Sequence, residues 1–136
     1  MDDEDCQSCG GETVIRPVPT ACRELLSGDP ATIRVCERCL SVDPVSATPV
    51  TRDWDPRTVS DALPSDPAGA VAMAMLVTLL DSLALHRSAV TTLTAALETE
   101  WGVDPLLALD RIAADSAIDP GVDLTRRRHQ VAQLRD

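Results

Sequence analysis

Four of the five cysteines in this 136-residue chain are spaced as metal ligands. Cys6-Gln7-Ser8-Cys9 is followed by Gly10-Gly11, and Cys36-Glu37-Arg38-Cys39 repeats the two-residue spacer after 26 intervening residues. Such a spacer lets one tight turn aim two sulfurs at a single ion, and the glycines let the backbone bend back with N–H groups directed at the thiolates. Two knuckles of this kind supply Cys6, Cys9, Cys36 and Cys39 as a tetrahedral set for one structural Zn2+. A dithiol redox pair and an iron–sulfur cluster are the competing uses of the same residues. A closed four-cysteine site keeps no open coordination position, so its expected role is to hold a small fold together, not to activate water. Cys22 stands apart from the pairs. With Arg23 beside it, it is either a reactive thiol or, as we read it, a small buried apolar residue on a short helical turn.

Other candidates are sparser. Arg126-Arg127-Arg128-His129 is the one basic cluster, either a phosphate-binding patch or a solvated helix face balanced by Asp119, Asp123 and Asp136. Trp54, flanked by Asp53 and Asp55, either docks its segment onto a domain or anchors a partner. His86 is expected to close a helix, where a cation suits the C-terminus. The chain has no HExxH, GxSxG, Walker or GxGxxG motif, and carboxylate pairs in so acidic a sequence are uninformative. No catalytic residue is therefore expected, and the protein reads as a non-enzyme.

These residues need elements to position them. Residues 13–18 and 32–35 are β-like and flank the connection Gly28-Asp29-Pro30, with one helical turn expected over 21–26. Residues 1–42 thus read as a zinc ribbon with an acidic N-terminal tail, a small antiparallel sheet topped by two knuckles. Residues 43–67 carry five of the ten prolines and read as a linker. Residues 68–136 follow a helical period. Asp66-Pro67 opens a helix to about 86 and Asp104-Pro105 another to 116, because Asp accepts from free first-turn N–H groups and Pro needs no donor there. Between them Ser88 is expected to cap a helix over 89–101 that stops at Gly102. A last and weakest helix is expected over 120–134, opened by Asp119-Pro120. The first helix is apolar nearly all round and should be the centre of the bundle, with part of its face open to use as a homodimer seam.

Composition sets the environment. All 12 cations are Arg, 16 of the 22 acids are Asp, and Lys, Asn, Phe and Tyr are absent, for a net charge of −10. Short hydrated Asp without long Lys stems suits a protein that stays soluble at very high salt, although a GC-rich genome would also deplete the absent residues. With 44% hydrophobic residues the chain is not disordered by composition. The start MDDEDC lacks a basic and apolar leader, so a cytoplasmic location is expected, and Asp81 breaks the longest apolar run before it can serve as a membrane span.

The CxxCG knuckle, the second CxxC, the lysine-free acidity and the tail Val-Asp-Pro-Leu-Leu-Ala-Leu-Asp with its Arg run resemble the small zinc-ribbon proteins of haloarchaea. Gln7 stands where the common CPxCG form of those proteins has Pro. The resemblance implies zinc at Cys6, Cys9, Cys36 and Cys39. The expectation is an α+β protein, an N-terminal ribbon followed by a three- to four-helix bundle, acting as a protein-binding adaptor or regulatory module. A nucleic-acid-associated ribbon using Arg126, Arg127 and Arg128 is the alternative, disfavoured by net charge and by salt. A thiol redox protein is the other.

Overall fold

The computed structural model describes residues 5–26, 28–45 and 49–135; most of the acidic N-terminal tail and Asp136 lie outside them. Three antiparallel strands, β1 (Thr13–Pro17), β2 (Thr32–Cys36) and β3 (Val42–Val45), form one sheet in the order β1-β2-β3. Four helices follow: α1 (Pro67–Leu80), α2 (Arg87–Trp101), α3 (Pro105–Ala114) and α4 (Leu124–Arg135). The fold is α+β, an N-terminal sheet with the cysteines at one end, followed by a helical layer.

Register explains how the sheet faces the helices. Val14 pairs with Val35 and Arg16 with Ile33, so Val14, Ile33 and Val35 share the buried face while Ile15 and Arg34 lie opposite. Strand β3 falls where the prolines predict a linker. Its Pro44 is opposite Ile33 at the edge of the sheet, where a missing N–H is tolerated. The other edge, β1, is covered by the chain returning at Thr51. The Thr51 N–H donates to the Ile15 carbonyl at 2.9 Å, and the Ile15 N–H donates to Thr51 Oγ1 at 3.0 Å.

Helix α1 is the centre of the molecule. Eleven of its fourteen residues are buried, and it packs against α2, α4 and β3, as expected of a helix that is apolar on every side. Its buried residues belong to the same core as Val14, Ile33 and Val35 of the sheet and Leu93, Leu97, Leu109 and Ile112 of α2 and α3. Gly69 admits the close approach of Trp101, whose Cγ would lie 3.3 Å from a Cβ at that position. No helix among the described residues is long and apolar enough to cross a membrane.

The caps separate the six Asp-Pro steps. Asp66 accepts from the Ala68 N–H at 2.9 Å, and Asp104 accepts from the Leu106 and Leu107 N–H groups at 3.1 and 3.2 Å, as the sequence predicts. Asp55-Pro56 likewise opens a short 3-10 turn, Pro56–Thr58. Asp119-Pro120 does not open α4. The helix begins four residues later, with Asp123 accepting from the Arg126 N–H at 3.1 Å, while the Asp119 N–H donates to the Arg38 carbonyl of the second cysteine knuckle. His86 is also placed differently from expectation. α1 ends at Leu80, a 3-10 turn over Leu83–Leu85 intervenes, and His86 precedes the first turn of α2 in place of the expected cap Ser88.

Candidate metal centre

Each knuckle is built by the same pair of backbone hydrogen bonds. In the first, the Cys6 N–H donates to the Gly11 carbonyl and the Gly10 N–H to the Cys6 carbonyl, both at 2.8 Å. In the second, the Cys36 N–H donates to the Ser41 carbonyl and the Leu40 N–H to the Cys36 carbonyl, both at 3.0 Å. The chain can close this turn only if the fourth residue after the leading cysteine is left-handed. Gly10 has φ +77 and Leu40 has φ +62. The strand β2 runs directly into Cys36, so the sheet fixes where the second knuckle stands.

The knuckles meet face to face. Cys6 Sγ lies 3.7 Å from Cys39 Sγ and Cys9 Sγ lies 3.5 Å from Cys36 Sγ, and all four sulfurs fall within 4.8 Å of one another. A tetrahedral ion bound at 2.3 Å would set sulfur–sulfur edges of about 3.8 Å. The geometry therefore fits one ion at the centre of the four. Both of these contacts join sulfurs of different knuckles, whereas a dithiol pair of the CxxC kind joins sulfurs within one. Gly11 makes the approach possible, since a Cβ there would stand 2.7 Å from Arg38 Cβ and 3.1 Å from Cys36 Sγ.

Donors surround the sulfurs. Cys36 Sγ accepts from the Arg38 and Cys39 N–H groups at 3.3 and 3.4 Å, and Cys6 Sγ from the Ser8 N–H at 3.4 Å. Ser41 Oγ sits 3.1 Å from Cys39 Sγ and 3.4 Å from Cys6 Sγ. Burial opposes ionisation of Cys6, but hydrogen bonds from the Ser41 side chain and the Cys9 and Ser8 backbone outweigh it and bring that thiol down to about 6. Burial pushes Cys36 up to about 12 and raises Cys39 as well. One thiolate thus forms readily, and the protons held by its neighbours are released only when a cation compensates the charge.

The centre is fastened to the helices. Thr78 of α1 donates its hydroxyl to the Ala74 carbonyl at 3.0 Å and accepts from the Val42 N–H at 3.1 Å, with the Leu40 carbonyl 3.4 Å away. From the α3–α4 connection, the Asp119 N–H donates to the Arg38 carbonyl at 2.7 Å. Between these two attachments lies a cleft of about 370 Å³ whose wall includes Cys9, Cys39, Thr78, Asp81, Asp119 and Val122. Of the four clustered cysteines, Cys9 is the one that is not fully buried.

The remaining candidates lie elsewhere. Cys22 is fully buried in the main core, and burial with the nearby Glu100 carboxylate pushes its thiol up to about 11. Trp54 is half-buried against the core, with the Arg16 guanidinium 5.8 Å from its ring centre. That guanidinium also donates to the Thr51 carbonyl at 2.6 Å. Arg126 is exposed, Arg127 donates to Gln130 Oε1 at 2.9 Å, and Arg128 pairs with Asp110 of α3 at 3.1 Å. Reading the cysteines alone misses Leu40, Ser41, Thr78 and Asp119. Only Leu40 and Ser41 leave a sequence signal, because aligning CQSCGG with CERCLS puts them where the first knuckle has its two glycines.

Over residues 5–135 the chain matches, and so belongs to, a family of unknown function, DUF6276. No curated protein and no solved structure shows significant similarity to it.

Proposed function

We propose that this member of the DUF6276 family is a zinc-stapled, non-catalytic protein-interaction module of a salt-adapted cytoplasm. The observation that carries the reading is the attachment of a closed four-thiol set to two separate parts of the helical layer, through Thr78 and through Asp119. Four cysteine sulfurs at single-ion spacing are the donor set of structural zinc, which lends folding energy and leaves no coordination position for a substrate. Here the ion would hold the knuckles, and through them the end of α1 and the α3–α4 connection, in one arrangement. Lysine-free acidity supports the salt-adapted setting.

The cleft between these attachments is the preferred partner surface. Its apolar wall of Val77, Pro120 and Val122 is rimmed by the exposed carboxylates of Asp81 and Asp119 and by the negatively charged thiolate set, with no cation in the lining. That chemistry suits an arginine side chain of a partner, its stem on the valines and its head on the carboxylates. Elemental analysis of the purified protein is expected to find one Zn per chain, with thiol reagents reaching Cys22 only after unfolding. Iron, or a metal-free protein that oxidises readily, would overturn the zinc reading. Affinity capture at molar KCl with the parent chain and with Val122→Arg tests the surface. Partners retained equally by both would refute the cleft.

A further inference from the structure

The run Arg126-Arg127-Arg128 does not act as one patch in the fold. Arg128 is neutralised by Asp110, and Arg126 is exposed on another face of the turn. Arg127 instead lines a second cleft, of about 280 Å³, together with Arg87 at the start of α2. The polar lining is completed by the amides of Gln130 and Gln133, over an apolar floor that includes Leu83 and Leu134.

Arg87 and Arg127 thus line one concavity, with no carboxylate among its lining residues, in a chain that has 22 acids and 12 cations. The arrangement is donor-rich throughout. Arg127 donates to Gln130 Oε1 at 2.9 Å, which ties these two lining side chains together. The adjoining first turn of α2 has no acidic residue and receives no side-chain cap. Two cationic side chains gathered in one concavity repel, and the natural complement is an anion.

We propose that this cleft is a binding site for a phosphate group, either free phosphate or the terminal group of a small phosphate monoester. Two planar forks satisfy a doubly charged tetrahedral oxyanion from two sides, whereas a lone carboxylate is saturated by one. The volume accommodates the phosphate and part of an organic remainder. An extended nucleic acid does not fit the observation, because a polyanion would meet a protein of net charge −10 beyond this one concavity. In concentrated salt the directional fork contacts, which screening weakens least, would carry the recognition. The proposal is independent of the metal and of the partner reading.

The test uses the full-length, metal-loaded protein labelled with 15N in arginine, at constant KCl, titrated separately with inorganic phosphate and with adenosine monophosphate. The Nε–H resonances of Arg87 and Arg127 are expected to shift saturably while those of Arg57 and Arg126 stay still. Arg87→Gln and Arg127→Gln should each weaken binding at least tenfold, and Arg126→Gln should leave it unchanged. Arg87 is exposed, so its variant carries the test should Arg127→Gln fail to fold. Saturation by phosphate with no gain for the nucleotide identifies free phosphate, and tighter nucleotide binding identifies an ester. Absence of a saturable shift with both ligands, or equal weakening by Arg126→Gln, overturns the proposal.

Discussion

In the first knuckle the left-handed position is Gly10, and a Cβ there would have no neighbour within 4 Å. In the second it is Leu40, 1% exposed and part of the core that surrounds α1. The backbone requirement is the same in both, since both turns close with the same two hydrogen bonds. What differs is the other side of the residue, solvent in one case and a helix in the other. A left-handed leucine is disfavoured by about 1–2 kcal/mol, and burying its side chain returns about 1.5–3 kcal/mol. The comparison separates two jobs: one knuckle only contributes its two sulfurs, while the other also docks the four-sulfur set onto the helical layer.

Removing a sulfur should erase this difference with the largest effect. Cys36→Ala deletes a 1% exposed sulfur that accepts two N–H bonds and faces Cys9. We expect loss of bound metal by elemental analysis and collapse of the sheet signal in circular dichroism, on the scale of about 10 kcal/mol that structural zinc supplies in small domains. Much of the helical signal should remain, because α1 packs directly against α2 and α4, and α3 against α4. Metal retained at one ion per chain would show that Cys36 is not a ligand.

The docking role is tested next by truncating the two left-handed residues' neighbourhoods unequally. Leu40→Ala keeps the backbone strain and opens a cavity against α1, so denaturant unfolding should register about 2–5 kcal/mol of destabilisation. Gly10→Ala adds strain alone and should register about 1–2 kcal/mol. Equal effects would mean that Leu40 does not anchor the centre. Gly11→Ala lies between them: its Cβ would meet Arg38 Cβ at 2.7 Å, and spreading the knuckles should destabilise by about 1–3 kcal/mol while weakening metal affinity.

Leu40 also marks where sequence reading stops. The four sulfurs and the caps at Asp66 and Asp104 are legible because each depends on local spacing: a two-residue turn, or an oxygen two or three residues before a free N–H. The buried face of α1 is legible from periodicity. Strand β3 is not, because Pro44 argues against a strand until it is known that the strand sits at an edge. The start of α4 fails for a similar reason. Asp119-Pro120 has the local form of a helix start, but Asp123 caps the helix while the Asp119 N–H bonds across the fold to the Arg38 carbonyl. The same holds for Arg87 and Arg127, which are 40 positions apart in the sequence and line one cleft in the fold.

The smallest expected effect concerns the cysteine that belongs to neither knuckle. If the ion holds both knuckles alike, their sulfurs are bound as thiolates and do not titrate in the loaded protein, so the alkaline behaviour should be that of Cys22 alone. Burial, with Glu100 nearby, raises the Cys22 thiol from 9.0 to about 11 in the folded chain. The unfolded chain therefore releases this proton first, and stability declines with rising pH between those values. The contribution is complete below pH 9 and is lost as the pH rises through about 11. Urea unfolding of the metal-loaded protein across this window should show the decline, and Cys22→Ala should flatten it at the expense of a small cavity. A decline that persists in Cys22→Ala would assign the titration to a knuckle sulfur and break the equivalence of the two halves of the site.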